Sequence, residues 1–126
     1  VNGHLAAATS TGGMTGKPLG RVGDTPIIGA GTWADPVVAV SCTGVGEAFI
    51  RTVAAHSVAV HHREGGLGEA ANKVLDEVEP LGGRGGLIAV NTNGEVVMPF
   101  RTMLMYRGKY ANGTVHVGIG PDFIQS

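Results

Sequence analysis

Six uncharged residues, Val37-Val38-Ala39-Val40-Ser41-Cys42, run straight into Thr43-Gly44-Val45-Gly46, and this junction limits the fold more than any other feature. A run so short, uncharged and rich in β-branched side chains reads as a buried strand. The glycine-bounded turn after it feeds a helix, in which Phe49, Ile50, Val53, Ala54, Ser57 and Val60 share one face at spacings of three and four. A second helix over residues 67–78 places Leu67, Ala70, Ala71, Val74, Leu75 and Val78 on one stripe and stops at Pro80. Gly82-Gly83-Arg84-Gly85-Gly86 then leads into the strand Leu87-Ile88-Ala89-Val90. Asn93-Gly94 turns it back through Val96-Val97-Met98-Pro99-Phe100 as a hairpin. Residues 103–108 and 114–117 suggest a further short element and a last weak strand. At the other end Asn2-Gly3 is a type I′ turn dipeptide, with residues 5–9 as the second strand of a hairpin whose first strand would lie upstream of Val1. The order β, β, α, α, β, β predicts an α+β fold, with helices on one face of an antiparallel sheet. A second sheet or layer is expected only from additional chain.

Length and charge narrow the function. A chain of 126 residues fits one domain, residues 1–126, or one half of a larger one, and a domain of this size buries roughly two-thirds of its unfolded surface. A net charge of −1 supplies no basic stripe for nucleic acid or an anionic membrane. The single cysteine, Cys42, excludes an internal disulfide and any CxxC metal motif, which fits a cytoplasmic setting. No apolar run reaches the roughly 18 residues that cross a bilayer, and no secretory leader is expected at Val1. The 22 glycines, against a usual share of about 7 %, are spread without a repeat.

The chemistry concentrates in two stretches. In Gly20-Arg21-Val22-Gly23-Asp24, Arg21 and Asp24 lie three residues apart on a glycine-held loop. A guanidinium forks onto a carboxylate and an aspartate accepts from an ammonium, so the pair matches the head group of an α-amino acid; the bland alternative is that they pair with each other or with solvent. In Thr43-Gly44-Val45-Gly46, a hydroxyl and a backbone N–H stand where a strand gives way to a helix, positions suited to an oxyanion, or to an ordinary helix cap. Thr9-Ser10-Thr11 brings three successive hydroxyls to Gly12-Gly13.

Other motifs fail. The phosphate-loop look-alike at residues 12–17 has too few residues between its outer glycines, and Pro18 stands where a Ser or Thr should hold magnesium. Gly29-Ala30-Gly31-Thr32-Trp33-Ala34 meets Asp35-Pro36 where a dinucleotide fingerprint needs a helix. His56, His61 and His62 are expected to be exposed and no metal is assigned. Cys42 lacks a positioned base and reads as a buried strand residue.

The segments 5–15, 20–31, 41–47 and 81–89 together resemble, in order, the β subunit of the plant-type L-asparaginase/isoaspartyl peptidase family of N-terminal nucleophile hydrolases. The resemblance implies half of an αββα sandwich and most of the β portion of a two-subunit hydrolase. Thr11 would then partner the nucleophile, Arg21 clamp the substrate α-carboxylate and Asp24 accept its α-amino group. Thr43 and Gly44 would form the oxyanion site, and the Gly46 carbonyl would add to the ammonium contacts. The implied reaction is hydrolysis of L-asparagine and β-aspartyl dipeptides through a threonyl ester. The family's catalytic threonine opens its β subunit and uses its own amine as base; by register it would lie before Val1, so this chain alone is expected to be inactive. An α subunit from the same precursor, carrying a structural sodium, and an (αβ)2 assembly are implied; no cofactor is implied for this chain. The alternatives are a glycosylasparaginase, whose branch typically carries Thr-Asn-Gly at the Thr11-Gly12-Gly13 position, and a noncatalytic amino-acid-binding domain. Arg101 and Met103-Leu104, where many relatives carry Asn and Glu-Gly, predict an altered side pocket.

Overall fold

The computed structural model describes residues 2–122 and 124–125; Val1, the first residue of the predicted opening turn, lies outside them. The central sheet has strands β1 (Thr32–Ala34), β2 (Val38–Gly44), β3 (Gly85–Asn91) and β4 (Val96–Val97), antiparallel in the order β1-β2-β3-β4. Seven paired residues, from Val38 opposite Asn91 to Gly44 opposite Gly85, join β2 to β3. Pairing beyond β4 continues through Leu87 N–H to Pro99 O at 3.0 Å and Arg101 N–H to Gly85 O at 2.7 Å, so the predicted Asn93-Gly94 hairpin forms.

Helices α1 (Gly46–Thr52), α2 (Ala54–His62) and α3 (Leu67–Val78) cover one face of that sheet. All six predicted stripe residues of α3 are buried, and they meet Val38, Val40, Cys42, Leu87 and Ala89 from the strands. Burying each large aliphatic side chain contributes roughly 1.5–3 kcal/mol, so this face is where stability resides. After α3, Pro80 sits in a short 3-10 turn, Glu79–Leu81, rather than ending the chain's helical course outright.

The single helix predicted after Gly46 is two helices. Val53 interrupts it in the left-handed region, φ 49° and ψ 48°, and the helical face changes with it. Val53 and Val60 are exposed, whereas Ala55, Val58 and Ala59 join Phe49 and Ala54 inside. The break has a tertiary cause: the Ala55 and His56 N–H groups donate to Ala30 O at 3.0 Å and Gly29 O at 2.9 Å. Those carbonyls take over donors that a continuous helix would direct at its own previous turn. The Ser57 hydroxyl closes the other side of the break on Thr52 O at 2.7 Å.

Two further expectations change. A second sheet does form within this chain, β5 (Arg107–Ala111), β6 (Thr114–Gly118) and β7 (Ile124–Gln125), antiparallel in that order. Its turn is Asn112-Gly113, with φ 53° and 80°, the positive φ at both central residues that a type I′ turn requires, whereas at the Asn93-Gly94 turn only Gly94 takes positive φ. Residues 5–9, expected as a strand, pair with no strand among the described residues, although Asn2-Gly3 does take positive φ.

Candidate active site

On the sheet face away from the helices, one cleft of about 860 Å³ opens between the loop of residues 11–26 and the C-terminal end of β2. Thr11, Arg21, Asp24, Thr43, Gly44 and Gly46, the six residues singled out from sequence, all border it. Strand alternation explains half of that gathering. Val38, Val40 and Cys42 point to the helices, so Ser41 and Thr43 project to the opposite side.

Close backbone approach explains the rest. A Cβ on Gly46 would stand 2.9 Å from Asp24 N and 3.0 Å from Asp24 Oδ1, and one on Gly31 would stand 2.6 Å from Asp24 O. Only bare glycines let the Asp24 turn seat against the start of α1 and β1. The turn is closed by Ile27 N–H and Gly31 N–H donating to Asp24 O at 3.0 and 3.1 Å.

Asp24 is the focus of the cleft. It is 5 % exposed, and its Oδ2 has no hydrogen-bond partner. Burial raises its carboxyl above the usual aspartate range, opposed by its own and Thr25's backbone N–H groups and by nearby Arg21. A buried carboxylate oxygen without a donor is costly unless something supplies one. An ammonium fits that requirement in charge and in hydrogen bonding.

Arg21 pairs neither with Asp24 nor with solvent alone. Its Nε and Nη2 both donate to Glu47 Oε1, at 3.3 and 3.0 Å. The Glu47 carboxyl is held below its usual range by its own backbone N–H and then by Arg21. Sequence reasoning missed Glu47, for which the available signal is its place in the first turn of α1, where the helix dipole favours an acid. A second group missed from sequence is a hydroxyl cluster. Thr9 Oγ1 donates to Gly31 O at 3.2 Å and meets the hydroxyls of Thr32 and of Ser41, the latter at 2.7 Å. Thr11 Oγ1 instead accepts from Gly13 N–H at 3.1 Å.

Arg101 stands apart from the cleft. It donates to Asp76 Oδ1 at 2.7 Å and Asn72 Oδ1 at 3.1 Å on α3, and neither it nor Met103-Leu104, where an altered side pocket was expected, lines the cleft, whereas Met105 and Tyr106 do. The histidines are not simply exposed either. His56 stacks edge-on against Trp33 at 4.5 Å, His61 Nε2 lies 3.4 Å from Glu77 Oε1, and His62 Nδ1 lies 3.1 Å from Gly65 O. Among the described residues no group of His, Cys, Asp or Glu could hold a metal ion, and no helix is long and apolar enough to cross a membrane. Burial pushes the Cys42 thiol far up, with Asp24 adding to the shift, so the thiol stays protonated and un-nucleophilic.

The fold and cleft define an α+β chain whose glycine-set loops bring an acidic and a basic group, Asp24 and Arg21, into one cleft. A family model described as asparaginase matches residues 1–119, and the chain belongs to that family. It is 54 % identical over 124 residues to the isoaspartyl peptidase of Escherichia coli, covering 94 % of this chain and 39 % of that protein. It is 59 % identical over 108 residues to a putative isoaspartyl peptidase/L-asparaginase of Dictyostelium discoideum, covering 84 % of this chain and 31 % of that protein. A probable isoaspartyl peptidase/L-asparaginase of Arabidopsis thaliana is 49 % identical over 112 residues, covering 84 % and 33 %. The chain thus spans less than two fifths of the length of these relatives.

Proposed function

We propose that this chain forms the amino-acid-recognising part of a hydrolase that cleaves L-asparagine and β-aspartyl dipeptides. The observation that carries this is the unpartnered Asp24 Oδ2 buried in the Arg21 cleft. An α-ammonium gives Asp24 its missing donor, and the α-carboxylate takes the Arg21 fork, displacing or sharing Glu47. That leaves the substrate's side-chain carbonyl toward Thr43 and Gly44.

In the complete protein a threonine from outside these 126 residues attacks that carbonyl carbon. The Thr43 hydroxyl and Gly44 N–H hold the resulting oxyanion, and losing one such donor typically costs about 10²–10³ in rate. Collapse expels ammonia or an amine and leaves a threonyl ester, which water hydrolyses to aspartate. Thr11 steadies the nucleophile, and the Gly46 carbonyl joins Asp24 at the ammonium. Neither Thr9 nor Thr11 supplies the free α-amine that this chemistry uses as base. The chain therefore works with an α portion of the same precursor, which holds the structural sodium, in an (αβ)2 assembly in the cytoplasm; the lone buried Cys42 suits that compartment.

The test is an assay of the complete protein and of the 126-residue chain on L-asparagine and a β-aspartyl dipeptide. Turnover is expected from the complete protein alone, and activity of the isolated chain overturns the assignment of the nucleophile. Arg21→Ala in the complete protein is expected to raise KM about 10- to 100-fold for both substrates. An unchanged KM for both removes Arg21 from the clamp.

A further inference from the structure

The discarded phosphate-loop look-alike ends on a lysine for which the reaction above has no use. Lys17 lines the same cleft, and Lys17, Arg21 and Asp24 are the charged residues among those that line it. A turn closed by Lys17 N–H to Met14 O at 3.2 Å brings it there. Its side chain then folds back over Gly13, where a Cβ would lie 3.0 Å from Nζ. Because Gly13 donates its N–H to Thr11 Oγ1, the ammonium stands at the Thr11 end of the cleft. Unlike Arg21, which already holds Glu47, Lys17 has no carboxylate within ion-pair distance among the described residues.

The charges can be counted against the ligand. L-Asparagine carries one ammonium and one carboxylate, which Asp24 and Arg21 match. A β-aspartyl dipeptide carries a second carboxylate, on the amino acid that leaves, and a cleft of about 860 Å³ has room for it. We propose that Lys17 binds the carboxylate of the leaving amino acid, and so favours β-aspartyl dipeptides over ligands that lack it. The proposal rests on the Arg21/Asp24 clamp, since that clamp fixes which end of the dipeptide reaches Lys17.

The experiment compares KM for β-aspartyl-leucine and for its C-terminal amide, which lacks only the charge in question, in the complete protein. The wild type is expected to favour the acid by about three- to tenfold, less at high salt. Lys17→Met and, in parallel, Lys17→Gln bring the ratio close to one, while Lys17→Arg keeps it. The ratio is taken within each variant, so a general loss of folding or rate cancels. A wild-type ratio of one, an unmoved ratio in Lys17→Met and Lys17→Gln, or an equal collapse in Lys17→Arg overturns the assignment. A wild type that turns over L-asparagine and the dipeptide but shows any of these outcomes leaves the clamp standing. One that turns over neither overturns both.

Discussion

Strand β2 is one backbone with two unlike sides. Toward the helices, Val38, Val40 and Cys42 are almost fully buried and surrounded by the apolar stripe of α3. Toward the cleft, the alternating positions carry Ser41 and Thr43 and face a loop whose central carboxylate has an oxygen with no partner. The first side satisfies its groups within the chain, whereas the second leaves donors and acceptors for something else. Stability and chemistry are thus separated by a period of two residues, and mutations on the two sides are expected to have opposite signatures.

The largest effect belongs to the helix side. Phe49 is fully buried in the core that joins α1 to the sheet, so Phe49→Ala is expected to cost about 3–5 kcal/mol of stability. Equilibrium denaturation of the complete protein measures it. A loss below about 1 kcal/mol would mean that the core can collapse around the void, and the two sides would no longer differ as described.

On the cleft side the sign reverses. Asp24→Asn keeps the shape and removes a buried charge, so it is expected to stabilise the ligand-free protein by about 1–2 kcal/mol at neutral pH while weakening amino-acid binding by about ten- to a hundredfold. Because burial raises the Asp24 carboxyl in the fold, the native state holds that proton more tightly than the unfolded chain does. Its contribution to stability is therefore full below the ordinary value of 3.8 and is lost as pH rises through the raised folded value. The gap between Asp24→Asn and wild type should be near zero at about pH 3 and widen across that window. Melting curves that run parallel at all pH values would show that Asp24 carries no such strain.

How much of this was legible in the sequence depended on how local the cause was. The α3 stripe and the β2 run were readable because helical and strand periods are written in neighbouring residues. The cleft residues were readable as types, since an Arg, an Asp and glycines at short spacing already suggest a head-group site. Their partners were not. Arg21 takes Glu47, 26 residues away, and no spacing rule selects that carboxylate over Asp24. The hairpin joining β5 to β6 escaped for a different reason: Arg107-Gly108-Lys109-Tyr110-Ala111 carries little strand-like alternation, although Asn112-Gly113 marked its turn.

The helix break at Val53 shows that even the helix side keeps one strained position. A β-branched residue in the left-handed region is disfavoured by roughly 1–2 kcal/mol, and Val53, 46 % exposed, regains little of that by burial. The strain persists because Gly29 and Ala30 supply the carbonyls that accept from His56 and Ala55. Val53→Gly relieves the strain but frees the unfolded chain by about 0.5–1 kcal/mol, so a net stabilisation of about 0.5 kcal/mol is expected. Thermal denaturation of the complete protein checks it, with KM for L-asparagine read alongside. Stabilisation with an unaltered KM confines the strain to the helix side. A changed KM would show that the Gly29 and Ala30 contacts pass the break on to the Asp24 turn, whose Asp24 O binds the adjoining Gly31 N–H, and the two sides of β2 would then be coupled rather than separate.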